Sequence, residues 1–273
     1  MKYEILLNNE PIQKIGFGTW QIGGGASPNR SIDTRSLSAL RSALELGYTH
    51  FDTAEGYAAG HCEELLGRAI REARVDRAGL FITSKVSPEH LRTADVLRAC
   101  DNSLKRLGID QLDLYLIHWP NRSIPLEQTF LALNQLVTLG KVRHLGVSNF
   151  DLPLLKRAQS LSETPIVTDQ IHYSLSERTY SNNGVLAYCQ ANNILLTAYS
   201  PVKAGHIHSH PTLQAIAAAH QVSPYQVALA WLAQQPKVIT IPMSFNTIHQ
   251  ADNFKAADII LTEAEMQQLD GLR

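Results

Sequence analysis

The sequence has few of the features that mark secreted, membrane-bound or nucleic-acid-binding proteins. Its three cysteines, Cys62, Cys100 and Cys189, are widely spaced and form no CxxC pair, so we expect neither a disulfide framework nor a zinc ribbon. This cysteine usage is typical of a protein in the reducing cytoplasm. The net charge of -1 predicts no basic surface for nucleic acid or an anionic membrane. Residues 1–13 lack the apolar core of a signal peptide, and no apolar run is long enough to span a bilayer. We therefore expect a cytoplasmic protein with a small-molecule ligand.

Several common catalytic and nucleotide-binding motifs are also missing. The stretch GFGTWQIGGG contains Gly16 and Gly18, but Gln21 stands where G-x-G-x-x-G requires its third glycine, so this is not a Rossmann-type dinucleotide turn. The sequence has no G-x-x-x-x-G-K-[ST], H-E-x-x-H or G-x-S-x-G motif. These absences argue against simple nucleotide hydrolases, zinc proteases and α/β-hydrolases.

What the sequence does contain is a regular alternation of short apolar runs and amphipathic segments. Its 273 residues, 44% of them hydrophobic, suffice for one domain over 1–273 with a sizeable core. Eight candidate strands cover 15–18, 49–52, 80–84, 114–117, 142–147, 166–170, 194–198 and 238–241. Helix candidates between them cover 33–46, 63–74, 92–107, 125–139 and 152–160. Eight such units predict a closed parallel (β/α)8 barrel, although an open doubly wound sheet has a similar alternation.

Local signals add detail at the two ends of this arrangement. Residues 4–14 predict an N-terminal β-hairpin, with its turn at 8–10, that plugs the floor of the barrel. Ser223, Pro224 and Gln226 predict a capped helix start. Thr262 and Glu265 repeat that capping signal near the carboxyl terminus.

Polar residues follow three consecutive predicted strands. The second strand ends in HFDTAEGY with Asp52 and Tyr57, the third in ITSK with Lys85, and the fourth in LIHWP with His118. Because the carboxyl ends of barrel strands meet at one mouth, these four side chains predict a proton-transfer site. We expect Lys85 to favour the phenolate of Tyr57 and so to ease proton donation near neutral pH. Asp52 is expected to keep Lys85 charged and oriented.

The segments GYTHFDTAEGY, ITSK, LIHWP and GKVRHLGVSN resemble, in order and over nearly the whole chain, the signatures of the aldo-keto reductase superfamily. This resemblance implies a nicotinamide-dependent enzyme that reversibly reduces aldehydes or ketones to alcohols by hydride transfer. It also implies that Asp52, Tyr57, Lys85 and His118 form the catalytic tetrad. In the family's pattern Tyr57 donates the proton and His118 orients the substrate carbonyl. No metal is implied.

The same resemblance implies contacts to cofactor and substrate. Ser148, Asn149 and Gln170 match the positions that hold the nicotinamide carboxamide, and Tyr199 matches the aromatic that stacks on its ring. The full set of implied cofactor contacts is Thr19, Trp20, Asp52, Ser148, Asn149, Gln170, Tyr199, Ser200, Pro201, Val202, Met243, Ser244, Phe245, His249, Asp252 and Asn253. The implied substrate contacts are Trp20, Tyr57, His118 and Trp119.

The sequence departs from the family's pattern at the residues expected to bind the 2′-phosphate of the cofactor. The family commonly has I-P-K-S followed five residues later by arginine, and these two cations bind the 2′-phosphate of NADP. Here Met243 replaces the lysine and His249 the arginine, so both charges are missing at neutral pH. We therefore expect NADP(H) and/or NAD(H) as cofactor, with a relaxed preference for the phosphate. The segment after TAYSP is short and the sequence stops soon after its last predicted helix, which predicts an open pocket.

Several of these residues have simpler structural explanations. Tyr199 and Trp119 are each compatible with capping of the core, and Ser148 with Asn149 is compatible with an ordinary helix cap. Met243 is compatible with a packing role alone. The alternating histidines His206, His208 and His210 suggest a metal, but no Cys, Asp or Glu lies within that stretch, so a solvated loop is the expected structure. Nothing beside Cys62 predicts a reactive thiolate.

Two other functions stay open on the sequence alone. The first is a regulatory subunit that binds nicotinamide without turnover. The second is a lyase or isomerase that uses Lys85 as a Schiff base and Tyr57 as its acid. For the reductase, the expected partner is a small-molecule aldehyde or ketone, and the chain is expected to be a monomer or weak oligomer.

Overall fold

A two-stranded antiparallel hairpin begins the structure, which is a computed structural model describing residues 2–6, 9–202 and 209–272. Its strands are β1 (Tyr3–Ile5) and β2 (Pro11–Gln13). The predicted hairpin is thus confirmed, while Leu7 of its first predicted strand and Asn8 of its predicted turn lie outside the described residues.

Eight parallel strands then form a barrel in which each strand pairs with the next along the chain. They are β3 (Phe17–Gly18), β4 (His50–Asp52), β5 (Phe81–Val86), β6 (Leu112–Ile117), β7 (Val142–Ser148), β8 (Ile166–His172), β9 (Leu195–Tyr199) and β10 (Val238–Thr240). Backbone hydrogen bonds close the sheet, since Gly16 N donates to Thr240 O at 2.8 Å and Thr240 N donates to Lys14 O at 2.7 Å. The predicted (β/α)8 barrel and all eight of its strands are confirmed.

Helices follow the strands and cover the outside of the barrel. They are α1 (Asp33–Glu45), α2 (His61–Ala73), α3 (Thr93–Leu107), α4 (Leu126–Thr138), α5 (Leu152–Leu161), α6 (Thr179–Asn182), α7 (Val185–Ala191), α8 (Pro211–His220), α9 (Pro224–Gln234), α10 (Thr247–Lys255) and α11 (Glu263–Asp270). Both predicted capping boxes are present, with Ser223 and Gln226 at the start of α9 and Thr262 and Glu265 at the start of α11. In the described part of the chain, no helix is both long and apolar enough to cross a membrane.

The hairpin closes one end of the barrel. Leu6, beside β1, and Ile12 of β2 are each 2% exposed and belong to one buried apolar cluster with side chains of five barrel strands. Those side chains are Phe81, Leu114, Leu116, Val167, Leu195 and Ile239. Because several of them lie at the first or second position of their strands, the cluster fills the amino-terminal end of the barrel. The polar strand ends at the opposite mouth are left for chemistry.

Candidate active site

Lys85 lies at the centre of the mouth and makes three hydrogen bonds there. It is fully buried in β5, and its Nζ donates to Asp52 Oδ1 at 2.5 Å, to Thr53 O at 2.8 Å and to Tyr57 Oη at 3.1 Å. Asp52 is the last residue of β4 and is 1% exposed. The ammonium is therefore held between a carboxylate and a phenol, as the strand ends predict.

A tight turn after β4 places Tyr57 beside Lys85. Tyr57 begins a short 3-10 helix in which Ala58 and Ala59 have φ of 49° and 51°, followed by Gly60 at 88°. Left-handed backbone is unfavourable for alanine, so tertiary contacts must hold this turn. One such contact is the hydrogen bond from Ala58 N to Gly25 O. The turn joins β4 to α2 within a few residues and leaves the Tyr57 side chain 8% exposed at the mouth.

Charge and burial act on Tyr57 in opposite directions. Burial raises the pKa of Tyr57, and the Lys85 ammonium lowers it by less, so the pKa stays above its usual value. Lys85 thus favours the phenolate, as expected, but burial of the phenol has the larger effect. For Lys85, burial lowers the pKa but Asp52 and Tyr57 outweigh it, so the pKa is raised and the amine is charged. At rest the pair is a neutral phenol beside an ammonium.

His118 follows β6 and completes the predicted group of four. Its ring centroid lies 5.5 Å from that of Tyr57 in an edge-to-face arrangement. Burial, with a further contribution from the Lys85 charge, lowers the pKa of His118 to about 3. The imidazole is thus uncharged, and it borders the cavity as a hydrogen-bonding group rather than as a second cation.

The residues predicted to hold a carboxamide form a hydrogen-bonded shelf at the ends of β7, β8 and β9. Ser148 Oγ donates to Gln170 O at 2.8 Å, and Asn149 Nδ2 donates to Ser148 Oγ at 2.9 Å. Tyr199 Oη donates to Asn149 Oδ1 at 2.9 Å, and burial raises the pKa of Tyr199 to about 12, which keeps that proton in place. Asn149 adopts φ 62°, a left-handed conformation that asparagine tolerates better than most residues.

The shelf and the Lys85 cluster are connected. Gln170 Nε2 donates to Asp52 Oδ2 at 2.7 Å, so Asp52 binds Lys85 through one oxygen and Gln170 through the other. The sequence analysis assigned Tyr57 and Lys85 to a proton-transfer group, Gln170 to a cofactor group, and Asp52 to both. In the structure one continuous set of hydrogen bonds runs from Tyr57 through Lys85, Asp52 and Gln170.

A cavity of about 590 Å³ lies over both groups. Trp20 and Trp119 stand at its rim and are 48% and 46% exposed, and the Trp20 ring meets the Tyr57 ring edge to face at 5.0 Å. The predicted site residues that line this cavity are Thr19, Trp20, Asp52, Tyr57, His118, Trp119, Ser148, Asn149, Gln170, Tyr199, Ser200, Pro201, Val202 and Met243. Lys85 lies just beneath it.

The other predicted cofactor contacts lie beyond the cavity wall. Met243 is the last of the set to line the cavity, and Ser244 and Phe245 continue from it, half-buried, toward α10. His249 is exposed on the first turns of α10. Asp252 is partly exposed farther along that helix, and Asn253 is buried there. These residues thus continue along the chain from Met243 into α10, outside the cavity lining.

Two predictions about other side chains concern metal and thiol chemistry. His206 and His208 lie outside the described residues, and His210 caps α8 by accepting from Thr212 N. No three His, Cys, Asp or Glu side chains of the described residues converge as a metal site. Cys62 is buried against Thr19, and burial raises the pKa of its thiol to about 12, so it stays protonated.

Some residues of the site carry no chemical signature in the sequence. Gly18, Gln21, Ile241 and Pro242 also line the cavity. Gly18 is required by space, since a Cβ there would lie 2.5 Å from Ile241 O. His172 stacks on the Tyr199 ring at 5.3 Å. The sequence analysis did not single it out, although its position two residues after Gln170 on the same strand could have placed it on this face.

Comparisons with known proteins agree with this geometry. The profile of the aldo/keto reductase family matches residues 14–273. The methylglyoxal reductase of Escherichia coli is 35% identical over 94% of this chain and 89% of its own length. The glyoxal reductase of Bacillus subtilis is 34% identical over 98% of this chain and 91% of its own.

Solved structures agree as well. The structure of a thermostable aldo-keto reductase in complex with the inhibitor epalrestat superposes with a TM-score of 0.96, at 46% identity over all of both chains. An aldo/keto reductase from Klebsiella pneumoniae, solved with NADP and acetate, gives a TM-score of 0.88 at 34% identity over 98% of this chain and 94% of that one.

Proposed function

The chain belongs to the aldo-keto reductase family, and on that premise we propose that it reversibly reduces small aldehydes or ketones to alcohols, with Tyr57 as proton donor. The chain is an NAD(P)H-dependent oxidoreductase that acts on carbonyl groups. The observation that carries the proposal is the buried Lys85, bonded at once to Asp52 and Tyr57 below an open cavity. Two relatives named for methylglyoxal and glyoxal reduction support small aldehydes as substrates.

The shelf suits a nicotinamide. Ser148, Asn149 and Gln170 present uncharged hydrogen-bonding groups for a carboxamide, and Tyr199 presents a flat ring against which a second ring stacks. When bound, the reduced nicotinamide supplies the hydride for the carbonyl carbon. The protein's part is to hold the carbonyl above Tyr57 and to deliver a proton.

Tyr57 and Lys85 have different roles in the proton transfer. As negative charge develops on the carbonyl oxygen, Tyr57 Oη donates its proton to it. The Lys85 ammonium, 3.1 Å away, stabilises the phenolate that remains. His118 is neutral, and we assign it a hydrogen bond that orients the carbonyl oxygen. Trp20 and Trp119 form the apolar wall against which the substrate packs.

The geometry gives little support to a Schiff-base lyase. A nucleophilic amine needs a free lone pair, yet the Lys85 amine is fully buried and charged, with three hydrogen bonds. A non-catalytic regulatory subunit would not require Tyr57 and Lys85 to meet, so the intact cluster also favours the enzyme.

The cofactor is NADP(H) and/or NAD(H). Met243 and His249 replace the two cations that would bind the 2′-phosphate, which supports a weaker preference for NADPH than a lysine and arginine pair would give. We propose that residues 1–273 act as one domain, as a monomer or weak oligomer. The three cysteines are free and buried, which suits a reducing cytoplasm.

The deciding experiment follows NADPH and NADH consumption in parallel with a panel of small aldehydes, for the wild type and Tyr57→Phe. Removing the proton donor is expected to lower turnover by about 100-fold or more while cofactor affinity is kept. Tyr3→Phe, on the exposed hairpin, is the matched control and should behave as wild type.

Other outcomes point to the other functions. Turnover that survives in Tyr57→Phe contradicts the assignment of the donor. No consumption despite tight cofactor binding favours a regulatory subunit. A borohydride-trapped adduct between substrate and Lys85 favours the lyase.

A further inference from the structure

An arginine from a distant part of the sequence lies over the segment that follows β10. The guanidinium carbon of Arg35, in the first turn of α1, is 4.3 Å from the centroid of the Phe245 ring. Arg35 is exposed, and none of the carboxylates in the described residues forms an ion pair with it. Stacking on an aromatic ring occupies the face of a guanidinium and leaves its N–H groups available at the edge.

The packing of α1 against residues 244–246 holds the helix that carries Arg35 in place. Gln250 of α10 is fully buried, and its Nε2 donates to Ala39 O at 3.1 Å and to Ser244 O at 2.8 Å. One side chain thus ties the backbone of α1 to the backbone beside Phe245. Arg35 and Ala39 are four residues apart and share a face of α1, so that face is held against residues 244–246.

We propose that Arg35 is the cation that recognises the 2′-phosphate of NADPH. This inference rests on the proposed function, because it takes the surface from Met243 to His249 as the place where the adenosine end of the cofactor lies. Neither Met243 nor His249 carries a permanent positive charge, whereas the guanidinium of Arg35 places one beside the same surface. A guanidinium binds phosphate through two parallel hydrogen bonds.

Arg35 therefore distinguishes NADPH from NADH, which lacks that phosphate. The backbone amides at the start of α10 add a favourable field for an anion, and Asn246 caps that helix by accepting from Ile248 N at 2.8 Å. The preference for NADPH that remains after the loss of the lysine and arginine motif is thus supplied from α1.

The test measures binding of NADPH, NADH, 2′,5′-ADP and AMP to the wild type and to Arg35→Gln by calorimetry. NADPH and 2′,5′-ADP are expected to bind about tenfold or more weakly to the variant, while NADH and AMP change by less than about twofold. Arg41→Gln is the matched control, since it removes the same charge from the same helix where Arg41 pairs with Glu72. It should leave all four affinities unchanged.

A second variant tests where the phosphate lies. Adding Met243→Lys to Arg35→Gln returns a cation to the same surface and is expected to restore most of the lost NADPH affinity. Lack of recovery, or an Arg35→Gln protein that keeps the wild-type ratio of NADPH to NADH affinity, overturns the inference and leaves the reductase proposal standing. A wild-type protein that binds neither dinucleotide overturns the proposed function itself.

Discussion

His118 shows how strongly the surroundings of one side chain determine its state. With a pKa of about 3, its imidazole is neutral across the physiological range, because burial and the nearby Lys85 charge both disfavour the cation. A histidine of ordinary pKa would change charge near pH 6.5. The site is therefore expected to work with one ammonium and no imidazolium.

This predicts the pH dependence of the reaction. Between about pH 5 and 8, kcat/KM for aldehyde reduction should show no step from His118, and His118→Gln should lower the rate without changing the shape of the profile. The measurement is a kcat/KM profile for both proteins. An inflection near pH 6.5 in the wild type that disappears in His118→Gln would contradict the neutral imidazole.

The site residues differ in how far sequence alone could reach them. Asp52, Lys85 and His118 lie at or just after strand ends, and the geometry of a parallel barrel brings such positions together. The contact of Arg35 with Phe245 lay beyond prediction, because it depends on how α1 packs on residues far along the chain. The direction of the Tyr57 pKa shift could not be predicted without the structure either, because the sequence does not show how deeply the phenol is buried.

At the scale of elements, the amino-terminal hairpin contributes part of the core. Ile12 is 2% exposed within the cluster that fills the barrel floor, whereas Ile5 on the same hairpin is 41% exposed. Ile12→Ala is expected to lower the free energy of unfolding by about 2–4 kcal/mol, because it removes buried methyl groups and leaves a cavity. Ile5→Ala should cost less than about 0.5 kcal/mol. Urea denaturation of the two variants compares them, and equal losses would show that the hairpin does not plug the barrel.

Element boundaries show where the sequence signals stop. The strand predicted from residue 114 begins two residues earlier, at Leu112. The prediction started late because Asp113 interrupts the apolar run, yet Asp113 is buried in the strand and forms ion pairs with Arg77 and Arg143. The helix predicted from residue 63 begins at His61, which is 5% exposed and contacts both Asp33 and Glu64. In both cases the element includes a buried polar residue, and the hydrophobic pattern of the sequence placed that residue outside the element.

At the scale of the whole molecule, one buried acid couples folding to pH. Asp169 of β8 is fully buried, and neither carboxyl oxygen has a hydrogen-bond partner of normal geometry. Burial raises the pKa of Asp169 to about 8, and the Phe150 amide offsets this only in part. The folded protein therefore keeps a proton that the unfolded chain releases near pH 4.

The sign of the effect follows from that difference. The contribution of Asp169 to stability is complete below about pH 4 and is lost as pH rises through about 8, since ionisation then favours the unfolded chain. Asp169→Asn, which stays neutral, should lose less stability than wild type between pH 5 and 8 in thermal or urea unfolding. Asp110→Asn, an exposed control, should follow wild type. Parallel curves for wild type and Asp169→Asn would refute the prediction.

The filled floor of the barrel has a consequence for access to the site. Because the hairpin and its apolar cluster occupy the amino-terminal end, Tyr57 and Lys85 are approached from the cavity at the opposite mouth. Under the proposed function, dinucleotide and carbonyl compound therefore use the same opening. We expect the molecule that binds deeper in this cavity to enter first and to leave last.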